Sequence, residues 1–554
     1  MIATDTTITL ALRSLLGGDP KRFLTYSVPQ GDPAKRSVIG VLDEFSRECF
    51  APDLRFFPVA PLDIGFALDH LKPEYVFVES AWNGNGGSWL YQITSPTGPK
   101  QALYNLVQEC RRRDIPTVFW NKEDPPHFEE FVDAAREFDY VFTTEESLLG
   151  QYASAAGHNN VDVLQFAAQP HIHSPQQVKG FREGNIAFAG QYFAHKFKER
   201  RDQMDMLFPA AQEFGFDIYS RMLNGDPNYA FPDRYADNVV GSLPYSEMIS
   251  AYRKYKVFLN VNSVPASKSM CARRVFELSS CKTSTVSAYS PAIASAYSPQ
   301  EVFTVTSQAE AKDVLSLLVR DNRFRERAAH LAWRETAKHH LYTHRLQQIA
   351  QTIGIASAPP EESIHVILAG KSLDGIRRLI ADLAGQVEVQ LDGVTIVADP
   401  AVISHDMATD LLHEAGLDLP ASVTDTARAA SSMSLSAAYV ALLHESLNYA
   451  PHYLQDLWLY LRHYASTPIV AKGLTMSEPK PDLAYSTYGW PEDTEATELV
   501  SGSWLAERDC AWPKLLTLGL AAEGGHVSVE SRVTLTDRFN IRRTNDVTSE
   551  EWAV

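Results

Sequence analysis

Two loops of the sequence combine polar and aromatic residues directly after short apolar runs. Tyr75–Val78 has the pattern of a buried strand, and the loop after it carries three glycines, two tryptophans and two asparagines. Glycines let a ligand approach the backbone closely, while tryptophan faces and amide groups are typical of carbohydrate sites. The loop therefore predicts a set of residues that bind a sugar or an acceptor: Glu79, Trp82, Asn83, Asn85, Gly86, Gly87 and Trp89. A long surface loop without a ligand is the alternative.

The second loop follows the predicted strand Thr117–Trp120 and is strongly charged. Charged groups directly after a buried strand are costly unless they face a polar cleft. They could contact a sugar or act as acid and base, so the candidate catalytic residues are Lys122, Glu123, Asp124 and His127. A solvated helix start, with Asp124 as its cap and proline in the first turn, would give much the same string.

Basic residues collect farther along the chain. After the predicted strand Asn185–Ala189, cations could face a diphosphate at a helix N-terminus; this set comprises Gly190, Lys196, Lys198, Arg200 and Arg201. A predicted helix over Arg273–Ser280 adds Arg273 and Arg274, one of which could neutralise phosphate, and Glu277, which could accept both hydroxyls of a ribose. Asn262 completes the candidate donor-binding set. A solvated basic helix face and a surface ion pair are the alternatives.

These residues belong to strands and helices that alternate along the chain, which predicts an α/β fold with two doubly wound parallel sheets. Ligands of such sheets bind at the carboxyl ends of the strands. We predict a first domain over residues 1–178, a second over 179–353, a linker over 354–362 and a third domain over 363–554. Further predicted elements are a long polar helix over Asp321–Ile349, strands at Val387–Leu391 and Thr395–Val397, and a loop or weak helix over Thr424–Ser436.

Composition narrows the class of protein. The 554 residues carry a net charge of −18, which argues against a nucleic-acid partner because phosphate binding needs a basic surface. The five cysteines lack CxxC spacing, so we expect reduced, mostly buried thiols and no zinc site. The sequence has neither the pattern of a signal peptide nor an apolar run of 18 residues, and a cytoplasmic location is therefore expected.

Several strings resemble the CgeB-like (spore maturation protein) glycosyltransferases, relatives of the retaining glycosyltransferase family 4. The resemblance spans residues 37–350 and rests on KPEYVFVESAWNGNGGSW, IPTVFWNKEDPPHF, VLQFAAQPHIHSP, FAGQYFAHKFKERR, GSLPYSEMISAYRKYKVFLNVNSV and RRVFELSSC. It implies the GT-B fold, with two Rossmann-like domains facing a cleft. It also implies a nucleotide-sugar donor on the second domain, an acceptor entering over the first, retention of configuration and no metal cofactor.

The resemblance also assigns individual positions in the second domain. Glu277 matches the second glutamate of the family's E-x7-E motif, which holds the ribose, while Ser269 occupies the place of the first glutamate. Lys282-Thr283-Ser284 stands where relatives have a small Gly-Thr-Pro phosphate loop. These departures leave a second hypothesis open, in which the protein is a non-catalytic scaffold that binds a nucleotide or carbohydrate. A nucleotide-sugar epimerase of related architecture is a weaker third.

The last third is similar to a GT-A-like domain that follows the GT-B pair in longer relatives. The string APHYL at Ala450–Leu454 stands for the relatives' GPxYL, and the aspartates that would bind a divalent metal are missing, which leaves Glu445. A GT-A transferase without them cannot readily neutralise a diphosphate through a metal. We therefore expect an inactive domain that serves packing, oligomerisation or acceptor binding, with a homodimer as one possibility.

Overall fold

The computed structural model describes residues 35–356, apart from 176, 177, 179, 181 and 224, and residues 362–543, apart from 426–434, 466, 473–494, 501, 511–515, 517–525 and 537–539. These residues form two compact units. The first comprises residues up to 173 and 182–357, and the second comprises 174–181 and the residues from 358 onward. Most of the stretch predicted as a loop or weak helix, Thr424–Ser436, lies outside the described residues.

The first unit begins with a lobe built on a six-stranded sheet in the order β2-β1-β3-β4-β5-β6, in which every pair of neighbours is parallel. Its strands are almost continuous apolar runs, as expected where helices cover both faces of a parallel sheet. The strands are β1 Ser37–Val41, β2 Arg55–Pro58, β3 Tyr75–Glu79, β4 Thr117–Asn121, β5 Tyr140–Thr143 and β6 Val161–Val163; the helices are α1 Glu44–Phe50, α2 Ile64–Leu71, α3 Gln101–Arg111, α4 Phe128–Ala135 and α5 Leu149–Ala156.

The second lobe of this unit has another all-parallel six-stranded sheet, in the order β12-β11-β10-β7-β8-β9. Its strands are β7 Gly184–Gly190, β8 Phe216–Ser220, β9 Val239–Gly241, β10 Tyr255–Asn260, β11 Ser284–Ala288 and β12 Phe303–Val305. Its helices are α6 Lys198–Gln212, α7 Tyr245–Lys254, α8 Arg274–Ser280, α9 Pro291–Ala296, α10 Gln308–Arg320 and α11 Asn322–His339. The prediction of an α/β fold with two Rossmann-like, doubly wound lobes is confirmed.

The long polar helix predicted over Asp321–Ile349 is wrong as a single element. It is broken into α11 and a further helix, α12 Tyr342–Thr352. Between them Leu341 pairs with Ala168 like a strand: the Ala168 N–H donates to the His340 carbonyl at 2.8 Å, and the Tyr342 N–H donates back to the Ala168 carbonyl at 2.9 Å. These bonds to the first lobe replace those that would continue the helix. Beyond the break, α12 packs into a core cluster of the first lobe.

The second unit is built on a mixed eight-stranded sheet in the order β15-β14-β13-β16-β20-β18-β21-β19. Strands β17 and β22 form a separate two-stranded sheet. Its strands are β13 Ile364–Ala369, β14 Leu391–Val397, β15 Ala421–Thr424, β16 Tyr439–His444, β17 Leu447–Tyr449, β18 Ile469–Lys472, β19 Glu495–Val500, β20 Trp504–Glu507, β21 His526–Thr536 and β22 Ile541–Arg543; its helices are α13 Leu373–Ala384, α14 His405–Glu414 and α15 Tyr453–His463. The strand predicted at Val387–Leu391 is wrong. The Val387 N–H bonds to the Pro451 carbonyl, and Glu388 has a φ of 54°, which no strand allows.

Two features of composition can be compared with the structure. All five cysteines are free and four are buried, namely Cys49, Cys110, Cys271 and Cys281. In the described part of the chain, no helix is both long and apolar enough to cross a membrane.

Candidate active site

The carboxyl ends of the parallel strands bring the predicted site residues to one edge of each sheet in the first unit. In the first lobe the predicted residues follow β3 and β4; in the second they follow β7 and β10. This edge is where open α/β sheets bind ligands. Each predicted side chain is therefore near the expected place, and its burial and partners decide whether it can meet a ligand.

Lys122, at the end of β4, is the centre of a buried ion cluster. Its Nζ lies 2.9 Å from Glu79 Oε1 and 3.3 Å from Asp43 Oδ2. Burial works to lower the pKa of Lys122, but the two carboxylates outweigh it and raise that pKa. Asp43 also accepts hydrogen bonds from the backbone N–H groups of residues 82–84. The cluster thus positions the loop after β3. The ammonium of Lys122 is already paired with two carboxylates inside the cluster.

Asp43 was not predicted from the sequence, although a signal was present. It follows the apolar run of β1 almost directly, just as the charged loop follows β4. The rule applied to that loop, that a charge after a buried strand needs a polar partner, would have found it.

Asp124 is fully buried and holds three elements together. Its carboxylate accepts hydrogen bonds from Asn121 Nδ2 at 2.8 Å, Thr143 Oγ1 at 2.5 Å and Tyr152 Oη at 2.8 Å. Burial, together with the nearby charges of Glu145 and Glu123, raises the pKa of Asp124 to about 7. Its prediction as a catalytic residue is corrected, because every one of these donors is a protein group and the side chain has no exposed surface.

Glu123 and His127 face a less crowded environment. The half-buried carboxylate of Glu123 makes no hydrogen bond or ion pair to the part of the chain that the structure describes. His127 Nδ1 lies 3.1 Å from Glu130 Oε1, and its ring packs edge-on against Trp82, with centroids 5.2 Å apart. Trp82 itself is 40% exposed. These three side chains can meet a ligand without displacing a buried partner.

The loop after β3 divides into structural and exposed residues. Asn85 is buried and bonds to the backbone of Gly40, Leu42 and Val59. Trp89 is fully buried, with its Nε1–H donating to the Val59 carbonyl at 2.7 Å. Their prediction as sugar-binding residues is therefore corrected: both anchor the loop.

The other predicted residues of this loop are open. The side chain of Asn83 is exposed, and Gly86 and Gly87 are exposed with φ angles of 69° and 95°. At both glycines an added Cβ would meet no atom within 4 Å, so only the backbone conformation requires glycine there.

In the second lobe, Arg200 and Arg274 bring two positive charges together. Arg200 Nη1 donates to Ser263 Oγ at 2.9 Å and to the Val261 carbonyl at 3.4 Å. Burial, and then the charge of Arg274, lowers the pKa of Arg200 to about 10. The Nε atom of each arginine is buried without a hydrogen-bond partner, and neither guanidinium has an ion pair among the described residues. Such a pair is suited to an anion.

The other basic residues predicted beside Arg200 do not share this environment. Lys198 is exposed and pairs with Asp202 at 2.5 Å. Arg201 donates to the carbonyls of Phe193 and Lys196, both at 2.7 Å, and so fastens the loop before α6. Both predictions of phosphate contacts are corrected, because one side chain points to solvent and the other bonds its own loop.

Gly190 and Lys196 lie in the segment between β7 and α6. Gly190 ends β7 and is separated from the helix by residues 191–197, which corrects the prediction that it opens the helix N-terminus. The exposed Lys196 Nζ lies 5.1 Å from the ring centre of Phe193 and 5.2 Å from that of Phe197. It remains a candidate on this loop.

Asn262 is a structural residue. It is buried, and its Nδ2 donates to the Ala288 carbonyl at 3.0 Å, while its Oδ1 accepts from Asn260 Nδ2 at 3.1 Å. Its backbone exchanges hydrogen bonds with the Gln203 amide at 2.7 and 3.1 Å. These bonds join β10, β11 and α6, so its prediction as a donor-binding residue is corrected.

Glu277 has no exposed surface, and both of its carboxylate oxygens are bonded. Oε1 accepts from Tyr245 Oη and from Arg273 Nη1, each at 2.8 Å, and Oε2 accepts from Tyr252 Oη at 3.0 Å. Burial works to raise the pKa of Glu277, but Arg273 and His173 outweigh it and hold that pKa below its usual value. The predicted ribose contact is corrected: the acceptors are already used within the protein.

His173 and Arg273 extend this cluster toward the first lobe. The backbone N–H of Gln169 donates to His173 Nδ1 at 3.0 Å, so Nε2 carries the proton and meets Tyr245 Oη at 2.7 Å. Burial lowers the pKa of His173 to about 4. The guanidinium of Arg273 stacks 3.7 Å from the ring centre of Phe45, a residue of α1. Arg273 is therefore engaged by a carboxylate and an aromatic ring.

Ser269, at the place of the family's first glutamate, joins the two lobes. Its hydroxyl donates to the Thr144 carbonyl at 2.9 Å and accepts the Glu146 N–H at 2.8 Å. The stretch Lys282-Thr283-Ser284 is buried, and Arg182 donates to the Lys282 carbonyl at 2.7 Å and to Thr283 Oγ1 at 2.6 Å. Neither segment presents a free polar side chain of the kind a phosphate loop would need.

In the second unit, Glu445 directly follows β16, and its carboxylate bonds to the turn between β13 and α13. Its carboxylate accepts the Lys371 N–H at 2.8 Å and the Ser372 hydroxyl at 3.1 Å. A Cβ added at Gly375 would lie 2.0 Å from Glu445 Oε2, so glycine is required for this close approach. Across the described residues of both units, no group of three or more His, Cys, Asp or Glu side chains could hold a metal ion.

Known structures give distant matches to the chain. A structure of Anabaena Alr3699/HepE in complex with UDP and glucose is 12% identical with a TM-score of 0.38, covering 57% of this chain and 91% of that one. A mutant of S. aureus TarM, in complex with fondaparinux, alpha-GlcNAc-glycerol and UDP, is 11% identical with a TM-score of 0.34, covering 52% and 58%. Sucrose-phosphate synthase from Thermosynechococcus elongatus is 12% identical with a TM-score of 0.35, covering 58% of this chain and 86% of that one.

Comparison by sequence gives one assignment. No curated protein matches the chain significantly. Residues 200–351, which begin in α6 and end in α12, match the family described as "Glycosyl transferase-like". The match confirms the enzyme class predicted from the sequence, and it includes both Arg200 and Arg274. Residues 200–351 are thus similar in sequence to glycosyltransferases.

Proposed function

We propose that the protein transfers a sugar from a nucleotide-sugar donor to a hydroxyl of an acceptor, and that Arg200 and Arg274 bind the donor's diphosphate. The supporting observation is the pair of guanidinium groups: the charge of Arg274 lowers the pKa of Arg200, and neither group forms an ion pair with a carboxylate that the structure describes. Two like charges held together destabilise the empty protein unless an anion neutralises them. A diphosphate has the charge and the oxygen atoms to do so.

The arginine pair also suggests how the reaction runs. An acceptor hydroxyl oxygen attacks the anomeric carbon, and the bond from that carbon to the phosphate oxygen breaks. The electron pair leaves with the nucleoside diphosphate, whose negative charge the two guanidinium groups stabilise. The proton of the attacking hydroxyl passes to an oxygen of the leaving phosphate, so attack occurs on the donor's own face and the configuration is retained. This proposal needs no metal cofactor, because the arginines supply the positive charge.

The first lobe offers the acceptor side. Trp82 gives an exposed aromatic face, and the exposed backbone at Gly86 and Gly87 allows close approach. His127 and Glu123 supply polar groups beside that face. A carbohydrate acceptor fits this combination, because sugars present both apolar C–H faces and hydroxyls.

The alternative is a binding scaffold without turnover. It is favoured by Glu277, whose carboxylate is occupied within the protein, and by Ser269, which bonds the first lobe. Neither residue is set up to hold a ribose. The scaffold and the enzyme agree on nucleotide binding and differ in catalysis.

One experiment separates these functions. Isothermal titration of the full chain with UDP-, GDP-, dTDP- and CMP-sugars, with and without EDTA, should identify one donor that binds equally well in both. Hydrolysis of that donor should then release the nucleoside diphosphate. Binding without hydrolysis, or without transfer to any carbohydrate offered, would favour the scaffold. No binding to any of the four nucleotide classes would reject the enzyme and a scaffold that binds a nucleotide, and would leave a scaffold that binds carbohydrate. A loss of activity in EDTA would reject the metal-independent route.

A further inference from the structure

Glu145 is the second residue after β5 and carries a carboxylate at the junction of the two lobes. Its immediate neighbours Thr144 and Glu146 make the two hydrogen bonds to the hydroxyl of Ser269. Ser269 lies on the segment of the second lobe that leads into α8 and Arg274. The backbone therefore holds Glu145 between the first lobe and the segment that leads to Arg274.

The side chain of Glu145 is buried but only half satisfied. It is 4% exposed, and Oε1 accepts the Ser147 N–H at 3.1 Å. Oε2 is closed to solvent and has no hydrogen-bond partner among the described residues. A buried carboxylate oxygen without a donor is costly, and most such atoms in folded proteins are paired.

Other carboxylates nearby lack this combination. Glu277 and Asp124 have donors on both oxygens, and the neighbouring Glu146 is exposed. Glu79 also has one buried oxygen without a hydrogen-bond partner in the described chain, but its other oxygen is paired with Lys122 in the cluster that shapes the β3 loop. Glu145 forms no ion pair with any cation that the structure describes.

We propose that Glu145 is a sugar-binding residue, whose Oε2 accepts a hydrogen bond from a hydroxyl of the transferred sugar. This inference rests on the proposed function. When the diphosphate is bound by Arg200 and Arg274, the sugar extends away from the phosphates toward the first lobe. There Oε2 of Glu145 accepts a hydrogen bond from a sugar hydroxyl. Since Oε2 is covered in this structure, the ligand reaches it when the two bonds of Ser269 open. A polar group that lacks its partner in the free protein discriminates strongly in favour of ligands that provide one.

The test compares a nucleotide sugar with its own nucleoside diphosphate. UDP-glucose and UDP are the first probe pair, followed by GDP-mannose and GDP. In the Glu145→Gln variant the affinity for the nucleotide sugar should fall about 10- to 100-fold, as for a lost hydrogen bond to a charged group. The affinity for the nucleoside diphosphate should not change, because Glu145 does not contact the phosphates. Glu146→Gln, next to it but exposed, should leave both affinities unchanged.

A structural role would give a different result. If Glu145 only supports the turn after β5, Glu145→Gln and Glu145→Ala would lower the urea midpoint of unfolding and weaken both ligands alike. That outcome, or unchanged binding of both ligands, overturns the inference while leaving the proposed function intact. Failure of the unmodified chain to bind either nucleotide sugar would instead overturn the proposed function for these donors, and the inference with it.

Discussion

Tyr245 donates a hydrogen bond of 2.8 Å to Glu277, and the same hydroxyl lies 2.7 Å from Nε2 of His173. The bond links α7 to α8 within a cluster in which Glu277 and His173 have no exposed surface. Removing one member of a buried, charged cluster leaves the others without partners. Glu277→Ala should therefore lower the free energy of unfolding by about 3–5 kcal/mol, and Tyr245→Phe by about 1–3 kcal/mol.

Urea unfolding measures both effects. Tyr229→Phe is the control, since the hydroxyl of Tyr229 has no hydrogen bond to the described residues. If Glu277→Ala kept the stability of the unmodified chain but lost nucleotide binding, the carboxylate would be a ribose ligand after all.

Arg274→Gln should weaken nucleotide binding without destabilising the protein. The variant removes a cation that holds the pKa of Arg200 down, so the free energy of unfolding should stay the same or rise slightly. The loss of a charge-assisted hydrogen bond to phosphate should weaken UDP or GDP about 10- to 100-fold. Calorimetry and urea unfolding measure the two quantities. Arg234→Gln, at an exposed ion pair with Asp205, should not change nucleotide affinity, and an equal loss there would contradict the assignment.

Asp124 should make stability depend on pH. Its pKa rises from 3.8 to about 7 on folding, so the folded protein binds this proton more tightly than the unfolded chain does. The contribution is therefore fully present below pH 3.8 and is lost as the pH rises toward 7, on the order of 4 kcal/mol in all. Asp124→Asn should flatten the pH dependence of the urea midpoint over this range. A variant with the same slope as the unmodified chain would show that folding does not raise the pKa of Asp124.

Asn85 and Asn83 form a matched pair in one loop. Asn85→Ala removes three hydrogen bonds to backbone groups and should cost about 2–3 kcal/mol of unfolding free energy. Asn83→Ala, at an exposed position, should stay within about 0.5 kcal/mol. Thermal or urea unfolding distinguishes them, and the prediction is wrong if the two variants unfold alike.

Glu445→Gln should loosen the turn between β13 and α13. A carboxylate accepts backbone N–H groups more strongly than an amide does, so hydrogen exchange at residues 371 and 372 should accelerate. The effect corresponds to about 1–2 kcal/mol of local stability. Glu414→Gln, at the exposed end of α14, is the control. Unchanged exchange would mean that the hydrogen bonds of Glu445 do not hold this turn.

The alternating pattern was sufficient to predict the two parallel sheets, because buried parallel strands are continuous apolar runs such as Tyr75–Glu79 and Thr117–Asn121. Short or polar strands such as β6 Val161–Val163, with no fully buried residue, carry no such signal. The break between α11 and α12 was also invisible, because it depends on a strand-like pairing with Ala168, far away in the chain.

For the candidate site, the residue types predicted where the site residues lie better than they predicted what each residue does. Asp124, Asn262 and Glu277 are at the expected edges, but each has its hydrogen-bonding capacity used by partners distant in sequence. No local pattern distinguishes such a residue from one that faces a ligand. Arg200 and Arg274 are the stronger candidates for binding phosphate because the structure places their charges near each other and gives neither an ion pair among the described residues.

The return of α12 to the first lobe has a consequence for how the chain acquires its structure during synthesis. Tyr342, Leu346 and Ile349 fill a core that also contains Val38 and Phe77, and Arg345 bonds the carbonyls of Gln165 and Phe166. A ribosome must therefore complete the whole second lobe before the first can close its hydrophobic core. Contacts of such long range slow folding, and the apolar face that awaits α12 is the surface that a chaperone would have to protect in the meantime.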